Sequence, residues 1–193
     1  MPLTDHDARE GELRAATIGG EPERLDGPVH LAEYDPAWPA QFLAHAERIR
    51  EALGARALAV EHAGSTAVPG LAAKPVIDIV LSVADSRDEA AYVPALEAAG
   101  YTLRIREPGW YEHRLLRGTA PAANVHVFSS GCPEVARMLA LRDRLRASEA
   151  DRALYESAKR DLAARTWRYM QDYADAKSAV VAGVVRRAGV DPS

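Results

Sequence analysis

A chain of 193 residues with 48% hydrophobic content can bury one substantial core, and its length favours a single domain over two. It has no apolar run of about 18 residues, and MPLTDHDAREGELR at the start is polar and acidic, so neither a spanning helix nor a secretory signal is expected and a soluble cytoplasmic protein is. One cysteine, Cys132, excludes an internal disulfide and a cysteine zinc site. The net charge of -4 divides unevenly, with 12 Lys+Arg against 20 Asp+Glu in residues 1–136 and 12 against 8 in 137–193; a broad duplex-binding surface is disfavoured, while the basic part is able to face a polyphosphate.

Residues 1–27 are rich in Asp, Glu, Arg and Gly, lack apolar periodicity and end in Asp26-Gly27-Pro28, which predicts a mobile tail outside the core. Asp35-Pro36 reads as an N-cap and first helical position. Phe42, Ala46, Ile49 and Leu53 then recur at helical spacing until Gly54 stops the helix. Residues 58–63 suit a short strand, 76–83 a buried strand, and 87–99 a helix ended by Gly100. Strands are predicted at 101–106, 113–117 and 124–129. From Pro133 the pattern turns helical, with one helix over 134–147 and a longer one over about 151–187, broken or kinked near 166–172; Ser148 and Asp151 stand in capping-box spacing between them. The expectation is an α/β (α+β) domain over 28–188, a mixed sheet flanked by helices with a helical part at 133–188, and a short tail at 189–193.

The chemistry-bearing residues concentrate between His62 and Val83. Gly64-Ser65-Thr66 follows a strand, where a glycine permits a tight turn and adjacent N–H groups and hydroxyls can face phosphate oxygens. Twelve residues separate Ser65 from Asp78, which lies inside Val76-Ile77-Asp78-Ile79-Val80-Leu81, where a carboxylate needs a cation, a metal or hydrogen-bond donors. Lys74 precedes that strand and is placed to reach a phosphate or neutralise Asp78. Alternation in Asn124-Val125-His126-Val127-Phe128 puts His126 on the face opposite Val125 and Val127. His62, His113 and His126 could join Asp78 in a mixed N/O metal site. Arg114, Arg142, Arg146 and Lys159 could clamp phosphates, or serve simply as solvated charges.

These residues carry a resemblance to the GrpB family of bacterial proteins and, through it, to the nucleotidyltransferase superfamily that includes DNA polymerase β and the kanamycin nucleotidyltransferases. It runs from Tyr34-Asp35-Pro36-Ala37-Trp38 through HAGSTAVPGLAAKPVIDI, His113-Arg114, Val125-His126-Val127-Phe128 and LRDRLR at 141–146 to Tyr155, Lys159 and Lys177, about residues 29–188 in all. The superfamily pattern is a Gly-Ser turn, a spacer of about a dozen residues, Asp-hydrophobic-Asp/Glu on a strand and a third acid on a later strand, together holding two magnesium ions. Gly64, Ser65 and Asp78 match it. Val80 stands at the second acid and His126 where a third would lie.

The resemblance therefore implies a nucleotidyltransferase-like fold binding a nucleotide or phosphorylated small molecule. Gly64, Ser65, Thr66 and Lys74 are expected at the phosphate, with Arg114, Arg142 and Lys159 completing the pocket. Mg2+ or Mn2+ is expected at Asp78 with His126. If transfer occurs, His126 or His62 replaces a second carboxylate as base or orienting group. Related domains fused to dephospho-coenzyme A kinase imply a nucleotide-related or kinase-supporting role. The rivals are a catalytically silent binding or chaperone-like module supporting a protein partner and, below it, a single-metal hydrolase.

Overall fold

The β-branched run around Asp78 becomes a strand beside the centre of a five-stranded mixed sheet. The computed structural model describes residues 5–191. In chain order the elements are α1 (Asp5–Ala16), β1 (Arg24–Gly27), α2 (Trp38–Leu53), β2 (Ala59–Ala63), β3 (Ile77–Val83), α3 (Val93–Ala98), β4 (Tyr101–Glu107), β5 (His113–Thr119) and β6 (Ala122–Ser129). They continue with α4 (Pro133–Ala147), α5 (Glu149–Ala163), β7 (Trp167–Tyr169), α6 (Met170–Ala176) and α7 (Ser178–Arg187). The sheet order is β2-β3-β6-β5-β4; β3 and β6 run parallel and the other pairs antiparallel.

Strand alternation divides this sheet into two chemically different faces. Ile77, Ile79, Leu81 and Val83 of β3, with Val125 and Val127 of β6, pack against Ala46, Ile49 and Leu53 of α2 and Leu96 of α3. The other face presents Asp78 opposite Asn124 and Val80 opposite His126. Val80 and Phe128 there pack with Cys132, Val135 and Met138, a structural place for the lone cysteine. Asp78, Asn124 and His126 lie further along the same face. A separate apolar cluster, Leu145, Tyr155 and Val184 around Val68 and Leu71, fastens the loop before β3 to the C-terminal helices.

Residues 5–27, expected to be a mobile tail, are instead folded. β1 pairs antiparallel with β7, Ile18 N–H donates to Arg104 O at 2.8 Å on the edge of β4, and Leu25 packs with Val29 and Tyr173. Their order comes from pairing with partners distant in sequence, which leaves no local periodicity to read. Residues 1–4, and 192–193 of the expected C-terminal tail, lie outside the described residues.

The helix expected over 87–99 shrinks to a 3₁₀ turn, Glu89–Ala91, and α3, because Pro94 lacks an N–H and fits only the first turn. The helix expected to start at Asp35-Pro36 is α2 and begins at Trp38, two residues later; Asp35 Oδ1 instead accepts from Ala37 N–H at 2.8 Å in a turn ahead of it. The long C-terminal helix divides into α5, α6 and α7 with β7 between, close to the expected break. Ser148 Oγ accepts from Asp151 N–H at 3.2 Å, as its spacing predicted. Among the described residues no helix is long and apolar enough to cross a membrane.

Candidate functional site

The site begins where β2 ends. Gly64 adopts φ 66° and ψ -169°, a conformation essentially reserved for glycine, and starts the 3₁₀ turn Ser65–Ala67. A Cβ at Gly64 would lie 3.0 Å from the Asp78 Cβ and collide with its carboxylate, so the glycine lets turn and acid touch. Asp78 Oδ1 accepts from Asn124 Nδ2 at 3.1 Å and lies 3.7 Å from His126 Nε2. Burial pushes the Asp78 pKa up, but His126, Asn124 and Lys74 outweigh it and hold the carboxyl below its ordinary value.

Lys159 braces the turn from α5. Its Nζ donates to Ser65 Oγ at 2.8 Å and Ala72 O at 2.6 Å, and the residue is 2% exposed. Burial first, and then the neighbouring Lys177, bring its pKa down to about 7. Burial likewise lowers the pKa of Lys74, against the pull of Asp78. The Lys159 shift has a definite sign for stability. A base whose folded pKa lies below its unfolded value binds fewer protons in the native state between those values, so stability rises with pH from about 7 toward the unfolded lysine value of about 10.4. Lys159→Met should flatten that rise. Urea denaturation of wild type and variant at several pH values across this window measures it, and parallel pH profiles would contradict the assignment.

Gly64, Ser65, Thr66, Lys74, Asp78, His126 and Lys159 all line one cavity of about 370 Å³ between the sheet and the segments around β7 and α6. Thr17, Pro22 and Glu23 border it from the N-terminal segment, and Glu23 pairs with Arg117 at 2.5 Å. Arg117 and Tyr173, not singled out in the sequence, and Lys177, named there only within the family resemblance, complete its walls. Lys177 Nζ lies 4.4 Å from the Tyr173 ring centroid, and the buried Tyr173 hydroxyl has no hydrogen-bond partner. Arg117 was readable, being two residues beyond Leu115 on the site-facing side of β5. Tyr173 and Lys177 arrive through β7 and α6, whose placement has no local signal.

Three expected members lie elsewhere. Arg114 is buried, with Nε on Glu89 Oε1 at 2.6 Å and Nη1 on Glu112 O at 2.9 Å. Adjacent to His113 on one strand, it takes the opposite face. Arg142 is used by Glu61 Oε2 at 3.0 Å, His62 O at 2.9 Å and Asp143 Oδ1 at 2.7 Å. His62 stacks on Phe42 with centroids 4.6 Å apart, and its Nε2 is 3.1 Å from Thr66 Oγ1. Burial and then Arg146 lower its pKa to about 4. It borders a different cleft with Tyr34, Arg146 and Arg152, and touches the Gly64-Ser65-Thr66 turn from behind, through Thr66.

The family model described as GrpB protein matches residues 28–187. A UPF0157 protein of Halalkalibacterium halodurans is 54% identical over 187 residues, covering 97% of this chain and 93% of that protein. A UPF0157 protein of Streptomyces coelicolor is 49% identical, covering 94% of each. A protein of Mycolicibacterium paratuberculosis named dephospho-CoA kinase is 36% identical over 159 residues, covering 69% of this chain but 39% of its own length. Among solved structures, the crystal structure of conserved protein GrpB from Enterococcus faecalis matches with a TM-score of 0.69 and 32% identity, over 82% of this chain and 96% of that one. With nearly its whole folded length matched, this chain belongs to the GrpB family.

Proposed function

We propose that the chain binds a nucleotide or a related phosphorylated small molecule in the 370 Å³ cavity, with its phosphates on the Gly64-Ser65-Thr66 turn and a divalent cation, Mg2+ or Mn2+, at Asp78. The observation that carries this reading is the contact between that turn and Asp78 at a single cavity wall, ringed by Lys74, Arg117, Lys159 and Lys177. Lys74, Arg117 and Lys177, with Lys159 part-protonated near neutral pH, stand against the carboxylates of Asp78 and Glu23 and favour an anion, and the volume is that of a small-molecule site. The orphaned Tyr173 hydroxyl offers a further polar contact. His126 Nε2 and Asp78 Oδ1, 3.7 Å apart, suit a hard or borderline cation whose other ligands come from phosphate and water. Such an ion would neutralise charge on the phosphates and polarise them. The dephospho-CoA kinase relative supports a place beside nucleotide chemistry.

Nucleotidyl transfer is the activity that membership of the nucleotidyltransferase superfamily would bring. Val80, fully buried with Phe128 where a second acid would stand, favours the rival of a catalytically silent binding module with a protein partner. The single-metal hydrolase has less support, since among the described residues no three His, Cys, Asp or Glu side chains gather as a metal site.

A panel of nucleoside triphosphates, with and without Mg2+ or Mn2+, tests the binding by thermal denaturation. At 100 times Kd a ligand stabilises the native state by about 2.7 kcal/mol. At least one triphosphate should raise Tm, and more so with metal; no shift under any condition would reject the reading. Transfer of label from an α-labelled triphosphate to any acceptor would exclude the silent module.

A further inference from the structure

Arg146, expected among the residues able to clamp a phosphate, lies outside the cavity and instead walls a second cleft of about 440 Å³. Residues 64–66 face the cavity, whereas Ala67 and Pro69, just beyond them, face the cleft. α4 and α5 meet at Ser148, so Arg146 in the last turn of α4 and Arg152 near the start of α5 reach one opening. Tyr34 and Pro39, from the chain entering α2, supply another wall. The Tyr34 ring is set edge-on against Trp38, with centroids 5.4 Å apart, and Pro39 and Pro69 have fixed backbone angles. This apolar wall is therefore preformed.

Each guanidinium is anchored through one nitrogen. Arg146 Nε donates to Ala67 O at 2.9 Å, and Arg152 Nη1 donates at 3.1 Å to Leu145 O, one of the carbonyls that the end of α4 leaves without an intrahelical donor. Among the described residues, Arg146 Nη2 and Arg152 Nε and Nη2 make no hydrogen bond. Helix capping accounts for the anchoring contacts, but not for two half-used forks in a cleft that no carboxylate lines. Asp143 does approach Arg146 Nη1 at 3.5 Å, as an exposed pair of the kind that water and salt weaken. Arg142, one turn earlier, is already taken by Glu61 and Asp143.

We propose that this cleft is a second binding site for a small phosphate monoester or carboxylate, its anionic oxygens on Arg146 and Arg152 and its apolar or aromatic body against Tyr34, Pro39 and Pro69. Phosphate and carboxylate offer a guanidinium the same chemistry, two oxygens spaced to accept parallel N–H donors. A preformed apolar wall with a few convergent polar groups is the usual make-up of a small-molecule site. No residue of the cleft lines the cavity, so the site requires neither the nucleotide nor the cation of the proposed function. The two lie back to back, with the contact of His62 Nε2 and Thr66 Oγ1 at 3.1 Å between them.

Nitrogen-15 NMR of the full chain at neutral pH, titrated with phenyl phosphate, benzoate and the uncharged benzyl alcohol, reads the cleft through the Ala67 amide and the Arg152 Nε–H signal. At least one of the two anions should shift both signals saturably, and benzyl alcohol should leave them in place. The tighter of the two anions names the head group and supports the site. Arg146→Gln and Arg152→Gln should each weaken binding about tenfold or more, read at Ala67 in a spectrum whose dispersion shows the fold intact. Lys177→Met, which alters only the cavity, should leave binding unchanged. Cleft signals that neither anion moves at millimolar concentration, an equal shift with benzyl alcohol, or binding lost in Lys177→Met and kept in both glutamine variants would overturn the proposal. Failure of every nucleotide to bind would reject the proposed function and leave this result standing.

Discussion

Gly64→Ala should destabilise the fold by about 2–4 kcal/mol, one of the largest effects expected from removing no contact at all. Two costs combine. The backbone at φ 66° and ψ -169° is strained for any residue with a Cβ, at about 1–3 kcal/mol. The new methyl must also displace the Asp78 carboxylate, which β3 pairing and Asn124 hold from behind. Gly70→Ala is the control in the same loop, because Gly70 has φ 77° but open space where its Cβ would be. Urea midpoints at constant slope separate the terms. The Gly64 variant should lose clearly more than the Gly70 variant; equal losses would mean that turn and acid are not pressed together.

Asp78→Asn should strongly weaken metal-dependent ligand binding while the fold persists. The amide keeps the shape and a carbonyl acceptor for Asn124, so sheet register is undisturbed. The lost charge removes one strong electrostatic partner, at about 2–3 kcal/mol, or roughly 30- to 150-fold in affinity. Calorimetric titration of the stabilising triphosphate measures this. Unchanged affinity would detach Asp78 from the site. The variant also changes the acid limb of stability. A carboxyl whose folded pKa is depressed stabilises the native state above its unfolded value, about 3.9, and loses that contribution as pH falls through the folded pKa, so Asp78→Asn should show a shallower loss below about pH 4.

What the sequence made legible follows from which forces are local. The apolar run 76–83 marks the strand that holds Asp78, alternation in 124–128 turns His126 away from Val125 and Val127, and the glycine of Gly64-Ser65 marks the turn that meets the acid; that Asp78 and His126 share a face is set by the β3–β6 register. Arg114 and Arg142 illustrate the limit. Both are cations near the motif in sequence or by expected packing, yet each is consumed by carboxylates and carbonyls of its own neighbourhood. Charge alone does not tell a ligand clamp from a satisfied structural arginine. Tyr173, Lys177 and the folded N-terminal segment depend on β1 pairing with β7 across more than half the chain, a contact without any periodic signature.

The most direct measurement is a crystal structure of the chain soaked with Mn2+ and a non-hydrolysable nucleoside triphosphate, with data collected at the manganese absorption edge. The expected result is an anomalous peak bonded to Asp78, with triphosphate oxygens on the backbone of Gly64-Ser65-Thr66 and near Lys74 and Lys177. Triphosphate density elsewhere, or a cavity that takes up neither metal nor phosphate at saturating concentration, would contradict it.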